Sequence, residues 1–122
     1  MLQGDFFKIN HLEMEEGSIK AELVINAGHK IFEGHFPGQP VVPGVCMMQM
    51  IKEIIEQVTQ KKTNLSKAGE MKFLAVIDPT QNNIIQAALK YTTEENGCMA
   101  VSAALFKNEL VYFKFKGVFT FS

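Results

Sequence analysis

The chain has 122 residues, is 47% hydrophobic, and carries a formal net charge of −1, with all 12 of its basic residues lysine. That apolar content excludes a disordered tail or a disulfide-held miniature, and the length suits one domain, residues 1–122. The absence of arginine argues against nucleic-acid binding, and no run reads as a signal peptide or membrane span, so a soluble, cytoplasmic protein is expected. Cys46 and Cys98 lack metal-ligand spacing and read as reduced packing residues.

In chain order, a first strand is expected over Phe6–Met14, with its alternation slipping near His11–Leu12 as at a bulge. Glu15-Glu16-Gly17 reads as a turn, and Ser18–Asn26 alternates with Ile19, Ala21, Leu23 and Ile25 on one face. Ala27–Lys30 is read as loop. The stretch Phe32–Glu53, FEGHFPGQPVVPGVCMMQMIKE, joins a stiff loop to an apolar helix. Pro37, Pro40 and Pro43 each fix φ, and Gly34, Gly38 and Gly44 permit close approach to the backbone. Pro43 suits a first helical position, and the helix is expected over Pro43–Gln60. Its first two turns are apolar nearly all round, which predicts burial on most sides. Lys61–Gly69 reads as a polar loop. Further strands are expected over Glu70–Ile77, Asn83–Tyr91, Gly97–Phe106 and Leu110–Phe121, with Lys107-Asn108-Glu109 as a tight turn before the last. This order predicts an α+β domain, an antiparallel sheet around one long helix.

The segment GHFPGQPVVPGV, Gly34 to Val45, resembles the signature of the 3-hydroxyacyl-[acyl-carrier-protein] dehydratases of the FabZ/FabA type. The resemblance implies the hot-dog fold, a site shared across a dimer, and no cofactor. It places the catalytic histidine at His35 and, at Gly44, the glycine whose N–H polarises the thioester carbonyl. The family's acid lies fourteen residues beyond the histidine, where this chain has Gln49; four residues later, where the family often has Gln, it has Glu53. Acid and amide are exchanged. On the same reading Phe36, Pro43, Val45 and Met48 contact substrate.

The chemistry of these residues fits the implied roles. An imidazole at His35 can take the C2 proton of an acyl thioester near neutral pH. Positive partial charge at the helix start by Gly44 can stabilise an enolate-like oxygen. Gln49 can donate a hydrogen bond but cannot deliver a proton, and Glu53 sits one turn, roughly 5–6 Å, further on. Gln49, Glu53, Glu56 and Gln60 also fit a solvated helical stripe. His11 and His29 have no comparable setting, and a His29–His35 metal site lacks supporting ligands. Cys46 reads as packing between Val45 and Met47, while the helix methionines suit either core or an acyl tunnel. Lys61, Lys62 and Lys67 form a basic cluster suited to an acidic carrier protein. Three functions follow: a dehydratase acting on acyl carrier protein or CoA thioesters, a binding or heteromeric partner subunit, and a hot-dog thioesterase. Any of them is expected as a homodimer or an oligomer of dimers.

Overall fold

The computed structural model describes residues 2–34, 40–94 and 96–121. His35 and Phe36, with Pro37, Gly38 and Gln39, lie outside the described residues. Six strands form one antiparallel sheet: β1 (Phe7–Glu15), β2 (Ser18–Ile25), β3 (Thr63–Phe73), β4 (Ile84–Thr93), β5 (Cys98–Lys107) and β6 (Leu110–Phe121). Their order is β1-β2-β4-β5-β6-β3, and between β2 and β3 the chain forms a short helix α1 (Ile31–Gly34) and the long helix α2 (Gly44–Thr59). This is the α+β hot-dog arrangement.

Alternation decides which way the sheet faces. Ile19, Ala21, Leu23 and Ile25 are buried, as are Ile85, Ala87 and Leu89 of β4 and Met99, Val101, Ala103 and Leu105 of β5. They join Met47, Met50, Ile51, Ile54 and Ile55 of α2 in one core. Phe113, Phe115 and Phe119 of β6 are fully buried, while Phe121 and Val111 are partly exposed at the two ends. The bulge expected in β1 falls between Ile9 and His11. The turns after β1 and β5 rely on left-handed residues, Gly17 (φ 74°) and Asn108 (φ 54°).

Several sequence expectations are corrected. Residues 63–69 are strand, not loop: β3 begins at Thr63 and pairs with β6 from Thr63↔Phe121 to Phe73↔Phe113. It lacks alternation because it is an edge strand interrupted twice by register shifts, at Leu65/Lys67 and Ala68/Glu70. The strand expected to reach Ile77 ends at Phe73. Beyond it, the Leu74 and Ala75 N–H groups both donate to the Tyr112 carbonyl, and the Ile77 carbonyl accepts the Val42 N–H at 2.9 Å. Pro43 is the N-cap rather than the first helical residue, with extended backbone (φ −61°, ψ 147°). Val45, expected inside, is 77% exposed. Burial on most sides of α2 therefore does not hold for its first turn in a single chain. No helix among the described residues is long and apolar enough to cross a membrane.

Candidate active site at the start of the long helix

The first turn of α2 begins without a side-chain cap. Most helices start on Ser, Thr, Asp or Asn, whose side chain occupies one of the free N–H groups. Pro43 makes no such bond. Its carbonyl accepts the N–H groups of Cys46 (3.0 Å) and Met47 (3.2 Å), and among the described residues no backbone carbonyl takes that of Gly44. The helix start thus offers donors and positive partial charge to whatever stands in front of it.

An apolar hollow of about 470 Å³ lies beside that start, bordered by Val41–Gly44, Met47 and Phe73–Val76. The Val42–Ile77 hydrogen bond ties its two walls together. Glycine at position 44 is a packing requirement: a Cβ there would lie 2.8 Å from Cε1 of Phe73. Phe73 stacks in turn on Phe113, with ring centroids 4.8 Å apart. Sequence reasoning missed Phe73 because only the course of β3 brings it over Gly44. Of the residues expected to touch substrate, Pro43 and Gly44 line the hollow; Val45 and Met48 do not, and the methionine that does is Met47.

Gln49 and Glu53 are coupled. Gln49 Nε2 donates to Glu53 Oε2 at 2.9 Å, and Glu53 also accepts the main-chain N–H groups of Leu2 (Oε2, 2.8 Å) and Gln3 (Oε1, 2.7 Å). Glu53 is 1% exposed, so this carboxylate is a buried clamp between α2 and the N-terminal segment. Nothing in a side-chain pattern reveals it, since two of the three donors are main chain. Gln49 borders a polar hollow of about 630 Å³ with Gln3, Lys52, Lys61 and Lys62, separate from the one at Gly44. Five residues of helix place the two positions well apart around the axis. The described residues of one chain therefore place the Gly44 N–H and the Gln49 amide at separate hollows.

The remaining candidates resolve simply. His29 Nδ1 accepts the Ile31 N–H at 3.0 Å, which leaves Nε2 to donate to Asp5 Oδ2 at 3.1 Å. The ring also packs edge-on against Phe6, so it pins the loop that leads into α1. His11 is exposed and pairs with Glu13. Cys46 is buried, and burial raises its thiol pKa, as befits a packing residue. Lys67 is not grouped with Lys61 and Lys62; it lies on the opposite face of the sheet.

A family model described as ApeI dehydratase matches residues 11–114. The chain is 26% identical over 110 residues to the 3-hydroxyacyl-[acyl-carrier-protein] dehydratase FabZ of Blochmanniella pennsylvanica, covering 89% of this chain and 68% of that protein. Among solved structures, the dehydratase heterocomplex ApeI:P from Xenorhabdus doucetiae aligns with a TM-score of 0.67 at 19% identity, over 92% of this chain and 96% of that one. An inactive histidine-to-phenylalanine mutant of the CurJ dehydratase aligns with a TM-score of 0.57 at 16% identity, over 93% and 42%. At these identities the two structures establish the shared fold.

Proposed function

The chain belongs to the ApeI-like dehydratase family, and from that premise we propose that it catalyses reversible loss of water from a 3-hydroxyacyl thioester on acyl carrier protein. The setting is fatty-acid or related acyl-chain biosynthesis in the cytoplasm. The observation that carries the reading is the uncapped start of α2 at Gly44, set beside an apolar hollow. The thioester oxygen accepts from the Gly44 N–H while His35 removes the C2 proton. The electron pair moves onto the carbonyl, then returns to form the C2–C3 double bond as the C3 hydroxyl leaves with a proton. An amide cannot supply that proton. We assign its delivery to a water oriented by Gln49, which gives a proton to the hydroxyl and regains one from the His35 imidazolium, with Glu53 as the positioning residue that fixes the Gln49 amide.

A second copy completes the site. β3 is an open sheet edge, and exposed apolar residues cluster around it: Val45, Met71, Phe73, Leu74 and Val76. A partner covering this edge would supply Gln49 to the Gly44 hollow of the first chain. The likeness to a heterocomplex supports a second reading, in which the partner is a different dehydratase subunit carrying the carboxylate. Mass analysis of a 3-hydroxyacyl carrier protein incubated with the pure protein separates these. Loss of water from the protein alone supports the homomeric enzyme. Loss only after a carboxylate-bearing homologue is added supports the heteromer. Loss of the whole acyl group would make it a thioesterase and overturn the proposal.

The open helix start gives a direct prediction. In Pro43→Asp the new carboxylate would cap α2 by accepting from the Val45 or Cys46 N–H, and would set a negative charge beside that of Gly44. Thermal stability should rise by the few degrees that about 1 kcal/mol of capping provides. Dehydration should fall by ~10-fold, because that charge opposes the negative charge developing on the thioester oxygen at the Gly44 N–H. A more stable variant with unchanged kcat would remove the helix start from the mechanism.

A further inference from the structure

The sheet face turned away from α2 concentrates positive charge over β4, β5, β6 and β3. Two rows of neighbouring outward residues cross it. One runs Ser18, Lys90, Ser102, Lys116, Glu70 through β2, β4, β5, β6 and β3; the next runs Lys20, Ala88, Ala104, Lys114, Lys72. Lys67 adds a sixth lysine beside Ala100 and Val118. Across β4, β5, β6 and β3, Lys90, Lys116, Lys114, Lys72 and Lys67 stand against Glu70 as the one carboxylate among the described residues of those strands, whereas on β1 and β2 the same face carries Glu13 opposite Lys20, Glu15 opposite Ser18, and Glu22. Lys72 and Lys114 stand directly opposite each other, an arrangement that costs stability. The face is not flat: hollows of about 630 and 530 Å³ adjoin across Lys90, Ser102 and Lys116, with alanine and glycine at their base.

We propose that this face is a docking surface for an acidic α-helix of a partner protein, lying across the strands on the side of the sheet opposite Gly44. Small floor residues let a helix settle between the lysine stems. Lys90 and Lys116 lie two strands apart, about 9.6 Å, close to the ~10.5 Å between helical residues seven apart. Lys114 and Lys72 lie one strand apart, about 4.8 Å, near the spacing of one helical turn. From β4 to β3 the basic part spans about 14 Å, the length of roughly 10 helical residues. The field it would exert is already visible on Glu70, whose carboxyl is held below its usual range by the hydrogen bond from Lys72, with Lys72, Lys116 and Lys114 adding their charge.

Other occupants fit less well. Two copies set face to face would bring lysine against lysine. A planar bilayer would touch only the lysine tips and leave the floor empty. An arginine-free surface lacks the bidentate phosphate contacts that nucleic-acid recognition favours. The proposal does not depend on the catalytic reading.

A 20-residue alanine-based helical peptide with glutamate at positions 1, 4, 8, 11 and 15 serves as the probe, titrated by fluorescence anisotropy. Binding should weaken as salt rises. Lys90→Glu/Lys116→Glu should lose at least ~10-fold in affinity and the milder Lys90→Gln/Lys116→Gln roughly 3-fold, both checked for native circular dichroism. The control Lys52→Glu/Lys62→Glu, which makes the same change in net charge beside α2, should stay within about 2-fold. Equal loss in that control overturns the proposal, as does equal binding of a proline-interrupted peptide of the same charge. Stronger binding to phosphatidylglycerol vesicles, or to a second copy of the chain, than to the helix also overturns it.

Discussion

Gln49→Glu/Glu53→Gln should raise dehydration turnover by ~10²-fold, the low end of what a positioned general acid contributes. The basis is the hydrogen bond between the two side chains, in which Gln49 donates and Glu53 accepts. Exchanging the residues keeps the bond and reverses its polarity: the amide introduced at position 53 donates, and the carboxyl introduced at position 49 accepts. The carboxyl then stands one turn nearer the helix start, at the edge of a hollow instead of inside a clamp. The single change Gln49→Glu is less favourable, because it sets two carboxyls side by side, which keeps one of them protonated but strains the clamp. Its turnover should fall between those of wild type and the double variant. The amide oxygen introduced at position 53 still accepts from the N-terminal segment, so the double variant should fold. The check is the rate of enoyl thioester formation at saturating substrate. A folded double variant no faster than wild type would show that the departing hydroxyl takes its proton by a route that bypasses position 49.

Glu53→Ala should destabilise the protein by about 3 kcal/mol, a fall of ~10 °C in Tm for a chain of this size. Removing the carboxylate orphans the Leu2 and Gln3 N–H groups and the Gln49 amide together. It also leaves a void where the side chain is fully buried among α2 neighbours. Glu53→Gln should lose roughly half as much, since one amide oxygen replaces two carboxylate oxygens. Gln57→Ala removes only the exposed Gln3–Gln57 bond and serves as the control. Thermal denaturation followed by circular dichroism reads all three. A fall of less than about 2 °C in Glu53→Ala would show that the N-terminal segment is not held by this clamp in solution.

What could be read from the sequence follows how local each signal is. The alternation of Ile19, Ala21, Leu23 and Ile25, and the helix beginning at a Pro-Gly pair, depend on neighbours a few residues away, and both appear as expected. β3 was illegible before Glu70 because its N-terminal part is a polar, twice-shifted edge paired with β6 alone among the described strands. The hollow at Gly44 was half legible: Pro43 and Gly44 announce it, whereas Phe73 arrives from 29 residues away through the fold. Glu53 looked like a spare acid because side-chain spacing cannot register the main-chain groups of Leu2 and Gln3 that occupy it.

The strand order also bears on how the molecule is assembled in time. β1–β2, β4–β5 and β5–β6 are hairpins that close over a few residues, but Phe73 of β3 must find Phe113 of β6 forty positions away, with two other strands formed between them. Such non-local pairing is entropically costly to start and is among the last contacts to gain from it. The pairing is also the one that carries the Phe73 ring to Gly44. The hollow at Gly44 therefore forms only once segments far apart in sequence have met, β3 with β6 and, over a still longer separation, β2 with β4.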